Sequence, residues 1–193
     1  AEVSPERADV LALRATELLR EALAVAQAVG DARVAAHALG ALGGLAEESG
    51  RVSEALGLTR RALEEARFLA APELTYRWHA QRGRLLAATG DRDAAIAAFE
   101  RAVSLLQALR DRPGWGAGLG DSSFDRSVAP VYRALLDLLL TAAEESVDPA
   151  RKQHQLAQAR QAMENFKAAE LRDFFRDDCV DAQRARTRGL EKV

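Results

Sequence analysis

Few side chains in this sequence could carry out covalent chemistry. Its only cysteine is Cys179, and its three histidines are His37, His79 and His154. A cysteine–histidine pair would suit a peptidase, because a neighbouring imidazole activates a thiolate nucleophile. None of these histidines stands near Cys179 in the sequence, so a pair could form only through the fold. Catalytic pairs usually sit at strand or loop ends beside a pocket. Cys179 follows a predicted helix instead, and we expect no enzyme and no catalytic residue.

The sequence also gives no sign of a metal or cofactor site. No spacing of cysteine and histidine is typical of zinc. The stretch GWGAGLG at 114–120 superficially resembles a phosphate-binding loop. It lacks the Lys-Ser/Thr ending, and no predicted strand precedes it. We therefore expect no cofactor, no metal and no nucleotide.

The elements that must hold any functional side chain are predicted to be helices. Alanine, leucine and arginine dominate the 193 residues, whereas the strand-forming Val, Ile, Thr and aromatic residues are sparse. Helices are expected near 5–29, 32–48, 52–70, 73–88, 92–109, 127–145 and 149–177. The net charge of −2 gives no reason to expect nucleic acid or an anionic membrane as partner. No apolar run approaches the ~20 residues that span a bilayer, and no signal peptide is visible.

Three alanine-led stretches share one register. They are ATELLREAL (15–23), ALGLTRRAL (55–63) and AIAAFERAV (95–103), and they repeat every 40 residues. The second is preceded by Gly43 and Gly50, and the third by Gly83 and Gly90, at the same distances. Such internal periodicity is typical of a solenoid built from supersecondary units.

This spacing of glycine, alanine and an aromatic or aliphatic residue resembles the tetratricopeptide repeat (TPR), a helix–turn–helix unit. The best copy is GRLLAATGDRDAAIAAFERAV, residues 83–103. Gly83 and Ala95 are predicted to let the two helices of the unit approach each other. Gly90 suits the left-handed residue that ends a helix, and Asp91 or Asp93 can cap the next one.

The resemblance implies an all-α, right-handed α–α solenoid of about three TPR-like helix pairs. An unpaired N-terminal helix opens it and a long C-terminal helix closes it. We expect residues 1–193 to form a single helical-repeat domain. Its predicted parts are a unit at 30–71, a unit at 72–110, a glycine-rich connector at 111–126, a divergent last unit at 127–178 and a linker at 179–193.

Arginines on the first helices of the units predict a binding groove. Arg77 and Arg84 are seven residues apart and so share one helix face. In the repeat register His37 is equivalent to Arg77, and Arg133 on a later helix is a further candidate. Guanidinium groups bind carboxylates bidentately, so these residues predict a site for a carboxylate or acidic peptide. The alternative is that they are ordinary solubilising arginines.

The glycine-rich connector contains Trp115, flanked by glycines. One interpretation is a flexible connector that Trp115 pins to the helices. The other is a loop that folds over the groove or meets a partner, with Trp115 as its anchor.

The C-terminal helix carries a second resemblance. Leu156, Ala159, Met163 and Phe166 are spaced as one apolar stripe. The following segment NFKAAELRDFFRDDCV, 165–180, resembles the helix that joins a bacterial TPR array to a CHAT domain, a caspase-like peptidase domain.

The resemblance implies that Leu171, Phe174 and Phe175 form a seam to a C-terminally attached domain. Cys179 then lies in the linker, not at the nucleophile's position, and no catalytic residue of the family carries over. The chain ends at Val193 without room for a CHAT domain, and it begins with Ala1, so we expect a piece of a longer protein.

The sequence therefore predicts a cytoplasmic protein-protein or peptide-binding TPR module, the recognition or regulatory part of a CHAT-type peptidase protein. The alternative is a structural scaffold or dimerisation module without a dedicated ligand groove. The expected partners are a protein or peptide, the attached domain and, in the alternative, a second copy of the chain.

Overall fold

The structure, a computed structural model, describes the backbone of residues 5–110 and 127–190 and the side chains of residues 7, 10–109 and 127–171. Within these ranges the chain forms seven α-helices and a short 3₁₀-helix, and no strand occurs. The helices are α1 (Pro5–Val29), α2 (Ala32–Glu48), α3 (Val52–Glu65), the 3₁₀-helix Ala66–Phe68, α4 (Pro72–Ala88), α5 (Arg92–Arg110), α6 (Ala129–Glu145) and α7 (Pro149–Leu190). The predicted all-α fold class is confirmed.

Two predicted helix ends were wrong. Helix α3 ends at Glu65 rather than residue 70. The 3₁₀-helix Ala66–Phe68 follows it and Leu69 is extended (φ −87°, ψ 128°), so the chain leaves the helix before Pro72 is reached. Helix α7 was predicted to end at Asp177 but continues to Leu190. No glycine or proline interrupts it before residue 189, so no helix-stop signal occurs earlier.

The chain divides into two compact units, Ala1–Pro113 and Gly114–Val193. In the first unit each helix packs on its neighbour in the chain, from α1 on α2 to α4 on α5. Helix α2 additionally contacts α4, the first helix of the next pair. This is the stacking of helix pairs that defines an α-solenoid.

Three turns between consecutive helices of the first unit use one geometry. Gly30, Gly50 and Gly90 have φ values of +73°, +70° and +83°, the left-handed conformation that glycine adopts without a Cβ penalty. Directly after Gly90 in the sequence, the Oδ1 of Asp91 accepts a hydrogen bond from the backbone N–H of Ala94 at 3.2 Å. The predicted left-handed glycine is confirmed, and Asp91 acts as the cap.

The small residues between paired helices are required by close packing. A Cβ added to Gly83 would lie 2.6 Å from two ring carbons of Phe99, which is itself 2 % exposed. In the preceding pair the equivalent Gly43 faces the fully buried Thr59, whose Oγ1 would lie 3.0 Å from such a Cβ. The predicted approach of the two helices at Gly83 is confirmed.

The second unit pairs α6 with α7. Large side chains of α6 are buried there, among them Tyr132, Leu135 and Leu139. Between residues 149 and 171, where the side chains of α7 are described, the buried residues are Gln155, Ala159, Ala162 and Ala169, with Phe166 partly buried. Because the large side chains between the two helices come from α6, the buried positions of α7 are mostly alanines, at spacings of three and four.

The predicted apolar stripe of α7 was therefore partly wrong. Leu156 and Met163 are exposed rather than buried. The buried face instead lies one residue to the side, where alanines allow α7 to approach α6 closely.

Candidate binding face between α2 and α4

One side of α2 lies along one side of α4, and these two stripes define the α2/α4 face. Their members are spaced three and four residues apart, so each stripe occupies one side of its helix. On α2 they are Arg33, His37, Gly40, Gly44 and Glu47, and on α4 they are Glu73, Arg77, Gln81 and Arg84.

Ion pairs join the helices at both ends of this face. At one end Arg33 Nη1 lies 3.1 Å from Glu73 Oε1. At the other end Arg84 donates two hydrogen bonds to Glu47, Nε to Oε1 at 2.7 Å and Nη2 to Oε2 at 2.8 Å. The second pair has the fork-on-carboxylate geometry of the strongest charged hydrogen bonds.

In the middle of the face the two helices pack closely, because α2 contributes glycines and α4 side chains fill the space beside them. A Cβ on Gly40 would overlap Nε1 of Trp78 and lie 2.6 Å from its Cδ1 and Cε2. Trp78 is buried against Ala36 and Leu39 of α2, so its indole cannot move aside easily. The Nε2 of Gln81 would lie 3.7 Å from a Cβ on Gly44. Between the two ion pairs the backbone of α2 is therefore covered by α4 side chains rather than by its own.

The three residues of the first unit that were predicted to form a groove have different surroundings. His37 and Arg77 are exposed. The guanidinium of Arg77 lies 5.8 Å from the ring centre of Tyr76, and its Nε donates to Tyr76 Oη at 3.2 Å. The fork of Arg84 is already occupied by Glu47. The face consequently carries both signs of charge rather than a purely basic cluster.

The remaining predicted residues lie elsewhere. Arg133 is on α6 in the second unit, with its guanidinium 6.0 Å from the ring centre of Phe166. Leu171 is exposed on α7. Trp115 lies outside the described residues, as do the side chains of Phe174 and Phe175. Their roles as groove residue, seam and loop anchor stay predictions.

Of the histidines, His79 has a perturbed pKa. Burial, followed by the charges of Arg101 and Arg82, lowers the pKa of His79 to about 4. Its imidazole is therefore neutral at pH 7. His37 and His154 are exposed, and the side chain of Cys179 lies outside the described residues.

Among the side chains described, no group of His, Cys, Asp and Glu is placed to hold a metal ion. Likewise, none of the described helices is long and apolar enough to cross a membrane.

Sequence reasoning missed the acidic partners Glu47 and Glu73. A signal for them existed, because Arg33 and Glu73 stand 40 residues apart, one repeat period, and Glu47 and Arg84 stand 37 apart. Helices α2 and α4 are the first helices of two successive pairs. Opposite charges at nearly the same repeat position in both helices predict that these helices contact each other. The buried Gln81 gave no comparable signal, because only the fold shows that it lies against two glycines.

Comparison with known proteins adds little beyond these observations. No protein-family model matches the chain, and no curated protein matches it. The chain is similar to two crystal structures of a putative kinesin light chain from Podosopora anserina with nearly identical TPR-like repeats. One is 21% identical, with 91% of this chain and 90% of that chain covered, and the other is 19% identical, with 85% and 89% covered. The TM-score is 0.45 in both cases, a likeness that carries no argument about function.

Proposed function

We propose that this chain is a protein-interaction module that binds a peptide or partner domain on the α2/α4 face, without catalysis. The observation that supports this best is the face itself, in which two helices lie side by side and Trp78 and Gln81 of α4 pack over Gly40 and Gly44 of α2. Exposed His37 and Arg77 stand beside these packed positions. An extended peptide has carbonyl and carboxylate groups that such side chains recognise.

The internal pair of Arg84 and Glu47 does not prevent an acidic ligand from binding. Side chains of Arg84 and Glu47 are 53% and 24% exposed. Pairs in such partly solvated positions contribute about 1 kcal/mol at most, and the bidentate geometry places this pair at the upper end of that range. A ligand carboxylate can exchange with Glu47 at a cost of about 1 kcal/mol, while Arg77 provides a second contact.

The experiment selects peptides from a random display library on the intact chain and measures their affinity for charge-reversed variants. Arg77→Glu and Arg84→Glu are expected to weaken binding at least about tenfold each, since they place an acid against the ligand's carboxylate. The matched control is Arg60→Glu, the same change on an exposed arginine of α3. Equal affinities of all three variants and the parent chain would refute binding at this face.

A second variant tests the competition directly. Glu47→Gln frees the Arg84 fork and is expected to strengthen acidic-peptide binding up to about fivefold, the equivalent of ~1 kcal/mol. Glu48→Gln changes the net charge equally on a neighbouring exposed residue and is expected to leave affinity nearly unchanged. If both variants behave alike, only overall charge matters and the exchange mechanism is wrong.

We further propose that the module is the recognition or regulatory part of a CHAT-type peptidase protein of bacterial origin, working in the cytoplasm. The resemblance at 165–180 supports this, and α7 would relay binding to the attached domain through Leu171, Phe174 and Phe175. Reading the gene beyond Val193 tests it. A caspase-like domain is expected there, and a stop codon would remove the connection.

A second candidate function is a dimerisation or scaffold module. It is favoured by the exposed apolar side chains of α1, where Leu11, Leu18, Val25 and Val29 are each about half or more exposed. Exposed apolar surface of this kind marks interaction sites in folded proteins.

A further inference from the structure

Helix α1 carries an apolar stripe that α2 does not cover. Its members alternate at spacings of four and three residues, the pattern of a coiled-coil seam. They are Leu11, Ala15, Leu18, Ala22, Val25 and Val29. We call this stripe the α1 seam.

The seam is separate from the side of α1 that packs into the fold. Ala26 is buried, and Leu19 and Leu23 are partly buried, the latter in the core cluster with Leu39 and Trp78. At about 100° per residue, that side is centred roughly 90° around the helix from the seam. The seam spans 19 residues, about 27 Å from the first to the last at 1.5 Å per residue, with leucines that are 57% and 49% exposed at positions 11 and 18.

We propose that two copies of this chain dimerise through their α1 seams, with the two helices antiparallel. Large and small residues alternate along the seam, since Leu11 and Leu18 are followed by Ala15 and Ala22. In one antiparallel register Leu18 faces the partner's Ala15 and Leu11 faces the partner's Ala22. The four layers formed by residues 11, 15, 18 and 22 then each pair a leucine with an alanine, so the helices approach closely and the side chains interdigitate. Val25 and Val29 lie outside these four layers.

The charges beside the seam select the same register. Arg14 and Glu21 are exposed and lie on its edge away from α2, and Arg14 Nη1 is 3.0 Å from Glu17 Oε2 of its own helix. In the register with leucine against alanine, Arg14 of each copy lies opposite the partner's Glu21, which gives two symmetric ion pairs that compete with the exposed pair to Glu17. Sliding the helices by one heptad sets Glu21 against the partner's Glu21, and like charges there are unfavourable. A parallel dimer pairs different flanking positions and gains neither ion pair.

The proposed dimer rests on the second candidate function, dimerisation. Its interface shares no residue with the α2/α4 face. Sedimentation velocity of the intact chain at several concentrations is the first measurement, and a dimer with a dissociation constant in the micromolar range is expected. Leu18→Arg should abolish it, because a charge replaces a central seam residue. Leu13→Arg is the matched control, since Leu13 is 67% exposed on another side of α1. A chain that sediments as a monomer at every concentration refutes the proposal, as does equal dimerisation of the two variants.

The charge swap tests direction and register. Arg14→Glu and Glu21→Arg should each weaken the dimer about tenfold or more, since each converts two ion pairs into like-charge contacts. The double variant should restore it, because the pairs return with signs exchanged. Failure of the double variant to recover affinity overturns the antiparallel register. Circular dichroism checks that every variant remains helical. Peptides bound at the α2/α4 face should bind the monomeric Leu18→Arg variant as well as the parent, which separates failure of this proposal from failure of ligand binding.

Discussion

Gly40→Ala is expected to destabilise the first unit although alanine is the better helix former. The new Cβ would overlap the indole of Trp78, with 2.6 Å to its Cδ1 and Cε2. Carbon atoms in contact prefer about 3.5–4.0 Å, so the separation is short by roughly 1 Å. Trp78 is 5% exposed and packs against Ala36, Leu39 and Ala62, so relief requires opening the core.

The magnitude follows from two opposing effects. Overpacking of a core costs typically 1–3 kcal/mol, and the rigid indole places this site at about 3. Alanine recovers about 1 kcal/mol of helix propensity over glycine. The net loss in free energy of unfolding is therefore about 2 kcal/mol, which lowers Tm by roughly 4–8 °C for a protein of this size.

Urea unfolding followed by circular dichroism measures this loss against a matched control. Gly57→Ala makes the same change inside α3, where nothing lies within 4 Å of the added Cβ. It should stabilise by about 0.5–1 kcal/mol. Trp78→Leu then provides the second side of a double-mutant cycle, because it removes the ring that the new methyl group would meet. The reasoning is refuted if Gly40→Ala costs the same with and without Trp78, or if it behaves like Gly57→Ala.

Two further predictions concern the second helix pair. The pKa of His79 is about 4 in the folded chain and near 6.5 when unfolded, so the unfolded state binds more protons between these values. Stability should be full above pH 6.5 and fall by about 1–2 kcal/mol on acidification to pH 4, after allowance for partial solvent screening. His79→Gln should flatten that part of the urea-stability profile, and an unchanged slope would contradict the cause assigned here. Asp91→Ala should lower stability by about 1 kcal/mol through loss of the cap on α5, whereas Asp91→Asn should retain most of it. Thermal melts compare the two, and equal losses would show that the cap hydrogen bond is not responsible.

Much of the fold could be predicted because its signals are local. Gly90 and Asp91 end one helix and start the next through their own backbone and side-chain preferences, which depend on adjacent residues alone. The repeat period identified Gly83 and its packing against the second helix of the pair. The end of α3 was not predictable because residues 66–70 contain no glycine or proline, and the continuation of α7 to Leu190 agrees with the absence of a helix breaker before residue 189.

The candidate site was less predictable because it depends on contacts between helices. The sequence predicts that Arg84 is available to bind a ligand. In the fold, however, its Nε lies 2.7 Å from Glu47 Oε1. The stripe of α7 was misplaced because which side is buried depends on what α6 presents. Tyr132 and Leu135 fill that space, so α7 contributes alanines there and leaves Leu156 exposed.

The sequence by itself determined that this chain is helical, where most helices begin and end, and that the helix pairs of the first unit repeat every 40 residues. These properties follow from backbone preferences and periodicity, which act over one or two turns. Only the tertiary structure decided which charges along the α2/α4 face are already paired and which side of α1 is left uncovered. Those outcomes depend on side chains some 40 residues apart meeting in space, and no local preference encodes that distance.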